Sequence, residues 1–126
     1  MTAPTDPTAL PSAFQDALNA RDVDRVLALY SQNATMRTVT GKVISGYAAL
    51  REEVEQTIAA APHISNTTRH IIATDDTALV IVDWAMELNA PDGERVTASG
   101  TTANVASRGL DGTWRFAVLN PTGTAS

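Results

Sequence analysis

Apolar residues recur at helical spacing in the first half of the chain and at strand spacing after Pro62. From Ser12 to Ala20, the residues Ala13, Phe14, Ala17 and Leu18 mark one face of a helix, with Ser12 after Pro11 as its expected N-cap. Arg21-Asp22 interrupts the pattern. Asp22 is placed to cap a second helix with Val23, Val26, Leu27 and Tyr30 as its stripe. Thr35 to Val39 reads as a short strand, and Lys42-Val43-Ile44-Ser45 as another, bracketed by Gly41 and Gly46. A third helix is expected from about Tyr47 to Ala60, with Tyr47, Leu50, Val54 and Ile58 inward. Arg51, Glu52, Glu53 and Glu55 lie on a face assigned to solvent. Pro62 stops that helix.

The remainder reads as β: Ile64 to Thr74, Ala78 to Leu88, Val96 to Ala106 and Trp114 to Asn120. Asp75-Asp76, Pro91-Asp92-Gly93 and Asp111-Gly112 supply the turns between them. Short turns between long strands make an antiparallel meander, and helices gathered ahead of strands give an α+β fold.

Alternation assigns the faces. Ala78, Val80, Val82, Trp84, Met86 and Leu88 form an uncharged side, expected to face the helices. Leu79, Ile81, Asp83, Ala85 and Glu87 form the outer side. That outer side is half apolar, so a homodimer through the outer face of the sheet is expected. A two-residue turn at Asp75-Asp76 sets Ala73 opposite Ala78 and Ile71 opposite Val80. It also brings Arg69 opposite Val82 on the inner face, which requires either a polar pocket or a bulge. Trp114, Phe116, Val118 and Asn120 share one side of the last strand. The small residues Ser99, Gly100, Thr101, Thr102 and Asn104 leave room for a cavity behind the helices.

Composition narrows the function classes. At 126 residues the chain suits one domain over 12–121, with a disordered proline-rich segment 1–11 and a tail 122–126. The first residues lack a basic n-region and an apolar h-region, which points to the cytoplasm, and no apolar run approaches the roughly 20 residues of a membrane span. A net charge of -5 with Lys42 as the only lysine argues against nucleic acid as a partner. The absence of cysteine excludes thiol chemistry. The two histidines are too few for most histidine-built metal sites, and His63 and His70 fall on opposite faces of an unbulged strand. No metal or cofactor is expected.

The segments Ala17-Leu18-Asn19-Ala20-Arg21-Asp22-Val23-Asp24 to Leu29-Tyr30 and Asn33-Ala34-Thr35 resemble the opening of the nuclear transport factor 2-like (cystatin-like, α+β cone) superfamily. Gly46-Tyr47-Ala48-Ala49-Leu50-Arg51 resembles the start of its third helix. Asp76-Thr77-Ala78-Leu79-Val80, Pro91-Asp92-Gly93 and Asp111-Gly112-Thr113-Trp114-Arg115-Phe116 resemble its strand and turn punctuation. Within the superfamily the likeness is to the SnoaL-like and DUF4440 (SgcJ/EcaC-type) proteins. It implies a cone of three N-terminal helices on a curved, mostly antiparallel sheet. It does not fix the chemistry, because the superfamily holds isomerases, cyclases, dehydratases, hydrolases and non-catalytic association modules.

The steroid isomerase mechanism needs an aspartate base and an oxyanion hole built from a tyrosine and a protonated aspartate. The resemblance places those roles at Thr38, Phe14 and near Thr102, and none of these side chains can perform them. The remaining candidates for proton transfer are Asp83 and His70, which enter the cavity only if the face assignment is inverted. The leading expectation is a domain that binds a small apolar ligand. Phe14, Tyr30, Met36 and Trp84 would give apolar contact, and Thr38, Asn104 and Asn120 would give orienting hydrogen bonds. Two alternatives belong to other classes: a polyketide-cyclase or isomerase-type enzyme on a small apolar carbonyl compound, and a non-catalytic dimerisation module.

Overall fold

The computed structural model describes residues 3–125. Three helices, α1 (Leu10–Asn19), α2 (Val23–Leu27) and α3 (Tyr47–Ala59), cover one face of a seven-stranded sheet. The strands are β1 (Tyr30–Arg37), β2 (Val43–Ser45), β3 (His63–Ala73), β4 (Thr77–Asn89), β5 (Arg95–Thr101), β6 (Asn104–Arg108) and β7 (Trp114–Leu119). Their order is β2-β1-β7-β6-β4-β3, with β5 also paired to β4. Among the described residues only the β1–β7 pair is parallel. The α+β cone expected from the sequence is the fold.

The segment expected to be disordered is ordered from Ala3 onward, while Met1 and Thr2 lie outside the described residues. Asp6 caps a short 3-10 turn (Pro7–Ala9) that runs into α1. Leu10 is completely buried, and the Pro4 carbonyl accepts the Trp114 N–H at 2.7 Å. α1 therefore starts at Leu10, before Ser12, whose hydroxyl bonds back to the Ala9 carbonyl instead of capping. Asp22 does cap α2, accepting from the Arg25 N–H at 3.1 Å. Tyr30 opens β1 instead of ending α2, and Tyr47 is exposed instead of packed inward.

The inner face of β4 is the one its alternation predicts: Ala78, Val80, Val82 and Trp84 are buried. Ala73 pairs with Ala78 and Ile71 with Val80, as the turn required. The register then slips between Thr68 and His70, so Arg69 is the extra residue of a β-bulge. The bulge takes a charged side chain off the core face and sets Arg69 3.2 Å from Asp83 on the outside. It also puts His63 and His70 on the same outer face, opposite Glu87 and Ile81. No group of metal-ligating side chains gathers there or elsewhere among the described residues.

The strand expected over Val96 to Ala106 is split into β5 and β6. Its register on β4 is nevertheless continuous, from Asp83↔Thr101 to Val80↔Asn104. Thr102 redirects the ladder at the gap. Its hydroxyl accepts the Val82 N–H at 3.0 Å and donates to the Val80 carbonyl at 3.1 Å. The neighbouring Ala103 N–H turns away to the Asn120 carbonyl. β4 thus passes from β6 to β5 along one edge, and the sheet can curve there.

At the free edge of the sheet, β3 is clasped by the polar face of α1. Asn19 makes two hydrogen bonds with the backbone of Ile64, and Gln15 accepts the Asn66 N–H at 2.7 Å. These bonds occupy edge groups that would otherwise be open to another strand. The tail is also tied down as far as Ala125: Thr122 accepts a hydrogen bond from Arg37, and Gly123 folds against Thr101. A Cβ at Gly123 would lie 2.6 Å from the Thr101 carbonyl oxygen, so only glycine fits. Ser126 lies outside the described residues.

Candidate functional site

Between the helices and the concave face of the sheet lies a cavity of about 380 Å3. Its inner end is aromatic. Phe14 of α1 stacks on Tyr30 of β1 with centroids 6.5 Å apart, and Phe116 of β7 meets both edge-on. Met36, Val82 and Trp84 continue the apolar wall. Val39, Gln56 and Ala98 also line it while being exposed, so they mark the mouth.

The structure gathers six of the seven expected ligand-contacting residues around this cavity: Phe14, Tyr30, Met36, Thr38, Trp84 and Asn104. Asn120 is not among the lining residues. The alternation counted from Trp114 breaks at a second bulge, where Ala106↔Phe116 is followed by Val105↔Val118. Val118 is thereby turned out and Leu119 turned in. Asn120 closes the C-terminal turn instead: its N–H donates to Asn104 Oδ1 at 2.7 Å and its Nδ2 to the Gly123 carbonyl at 2.9 Å.

Trp84 is held by two features. Its Nε1 donates to the Pro121 carbonyl at 2.7 Å. Its ring lies over Gly100, where an added Cβ would come within 3.0 Å of the six-membered ring. The room that the small residues of β5 leave is partly taken by this indole, with the cavity in front of it.

Polar groups inside are few and differ in what they are free to do. Thr102 is committed to the β4 backbone, and the Thr38 hydroxyl is shared with Thr40 at 2.9 Å. The Tyr30 hydroxyl and Asn104 Nδ2 make no hydrogen bond among the described residues; no enclosed side-chain polar atom there lacks a partner, so both retain accessible surface, on residues that line the cavity. Burial, with the charge of Glu53 added, pushes the Tyr30 phenol far above its ordinary pKa. It is therefore a neutral hydroxyl at any physiological pH.

Asp83 and His70 lie on the opposite side of the sheet. Asp83 accepts from Thr101 Oγ1 at 2.6 Å and pairs with Arg69, while His70 is exposed. Neither reaches the cavity. The positions matching the steroid isomerase roles, Phe14, Thr38 and Thr102, do converge on it, with side chains that cannot perform those roles. Sequence reasoning missed Glu53, which was assigned to a solvated face but lines the cavity. The signal was its place in the stripe Leu50, Glu53, Val54, Thr57 along α3.

A SnoaL-like domain model matches residues 12–117. The chain belongs to the SnoaL-like family. Among solved structures, a nuclear transport factor 2-like superfamily protein from Salmonella enterica serovar Typhimurium LT2 superposes with a TM-score of 0.81 at 15% identity, over 94% of this chain and 89% of that one. A Streptomyces avermitilis protein of the same superfamily, provisionally named a dehydratase, gives 0.77 at 18% identity, over 94% of both chains. The epoxide hydrolase/cyclase-like enzyme SalBIII, described for pyran ring formation in the polyether salinomycin, gives 0.67 at 23% identity, over 90% of this chain and 86% of that one. Identities this low establish the SnoaL-like fold and carry no activity with them. No curated protein matches the chain by sequence. Among the described residues, no helix is long and apolar enough to cross a membrane.

Proposed function

We propose that this SnoaL-like domain binds a small, largely apolar molecule inside its cone. The carrying observation is a cavity of about 380 Å3 with an apolar wall and, on its lining residues, two accessible donors that make no hydrogen bond among the described residues, the Tyr30 hydroxyl and Asn104 Nδ2. That is the make-up of a ligand site: apolar contact supplies affinity and a few polar groups set orientation. Binding is favoured over the cyclase or isomerase reading because Asp83 and His70, the groups that reading relied on, lie outside the cavity. The test is a calorimetric titration with 1-naphthalenemethanol, an uncharged ring with one hydroxyl. Saturable one-to-one binding with a Kd of about 10–100 μM is expected. No saturation at millimolar probe overturns the reading.

The domain is further proposed to act as a homodimer through its outer sheet face. Cross-strand register lines up Ile72, Leu79, Val105, Val118 and Thr35 in one row across five strands. Ile72, Leu79 and Val118 are between 40% and 65% exposed. Beside the row, Arg69 and Asp83 neutralise each other, so this part of the face can meet its own copy without net repulsion. Sedimentation at 50 μM should show a dimer, and Leu79→Glu a monomer with an unchanged circular dichroism spectrum. A wild-type monomer at that concentration refutes the interface.

A further inference from the structure

The lining of the cavity contains one ionised side chain, and it is an anion. Glu53 is half-buried on α3, on the wall that includes Tyr30 and Thr57. Its neighbours on the helix are engaged: Glu52 accepts from Gln56, and Glu55 pairs with Arg51. The Glu53 carboxylate has neither a hydrogen bond nor a salt bridge among the described residues, and no lysine, arginine or histidine lines the cavity. A second, separate observation concerns Tyr30 in the same lining. Tyr30, 7% exposed, presents an unpartnered hydroxyl, and its ring stacks with that of Phe14. The rise in the Tyr30 pKa includes a contribution from Glu53, so the two groups interact electrically.

Each feature selects by charge. A half-buried carboxylate repels an anionic ligand far more strongly than one in bulk water does. It attracts a cation for the same reason, and the aromatic faces of Phe14 and Tyr30 add to that attraction. From this geometry we infer that the ligand is an amine: an apolar, ring-sized body in the cone, with a protonated nitrogen held between the Glu53 carboxylate and the Tyr30–Phe14 rings. This rests on the proposal that the cavity binds a ligand at all.

Three probes with the same ring and different heads separate the two claims: 1-naphthylmethylamine, 1-naphthalenemethanol and 1-naphthoate, titrated at pH 7 and low salt. The amine is expected to bind tightest, with a Kd at least about 30-fold below that of the acid and clearly below that of the alcohol. Glu53→Gln should reduce the amine-to-acid ratio to about threefold or less. Glu52→Gln makes the same change in net charge one residue away on an exposed position, and should leave the ratio as it was. Equal affinity for alcohol and amine overturns the inference in favour of an uncharged ligand. A ratio that persists in Glu53→Gln, or falls equally in Glu52→Gln, overturns it in favour of general electrostatics. If none of the three binds, the cavity reading fails and the inference falls with it.

Discussion

Replacing Leu10 by alanine should lower the stability of the fold by about 2–5 kcal/mol, measured by urea denaturation with an unchanged slope. The residue sits between Ala9 and Pro11 in a stretch of prolines and threonines, where composition suggests a loose end. Yet no part of it is exposed, and it joins Val26, Leu50 and Val80 among the fully buried side chains of the core. Removing three carbons from such a site leaves a cavity that the surrounding strands and helices cannot close completely. A loss of that size is a large fraction of the 5–15 kcal/mol that holds a domain of this kind together, so the variant should melt many degrees lower. The contrast is Leu110, which is fully exposed in the turn before β7 and should tolerate alanine within about 0.5 kcal/mol. If Leu10→Ala were as mild as Leu110→Ala, the N-terminal segment would be detached in solution.

Leu10 also shows where the sequence was hard to read. Proline and threonine content predicts disorder, but one leucine aimed at the core and one carbonyl at Pro4 suffice to anchor the segment. The fold was readable because its signals are redundant. The alternation of β4 is sustained over eleven residues, and each hairpin carries its own Asp or Gly. Errors gathered where the two-residue period is interrupted. At Arg69 the sequence leaves a polar pocket or a bulge, because a regular strand would bury a charge, and the structure takes the bulge. The shift beyond Phe116 carries no such penalty, since it exchanges Val118 for Leu119, and it misplaced Asn120. The clasp of β3 by Gln15 and Asn19 was invisible for another reason: it joins residues about 50 positions apart. Glu53 was missed because a charged run on a helix is normally solvated surface, and only its spacing from Leu50 and Val54 marks it as different.

The site was legible to a similar extent, and the variant expected to abolish it follows from the same register. Val82 points inward from β4 between Val80, which pairs with Asn104, and Trp84, which lies over Gly100. It is 4% exposed and lines the cavity. Val82→Trp would place a second indole beside that of Trp84, in the space a ligand ring needs. Binding of 1-naphthalenemethanol should weaken by about 100-fold or more, the loss expected when the apolar contacts of a small ring are denied. Stability should change far less than binding, because the new ring enters open space, where the usual overpacking cost of about 1–3 kcal/mol is relieved. Calorimetry reads the affinity, and a thermal melt reads the fold. Undiminished binding to a folded Val82→Trp protein would move the ligand out of the cone. The groove beside Tyr47 and Arg115 would then be the next place to look, because it shares Tyr30 with the cavity but lies beyond the reach of residue 82.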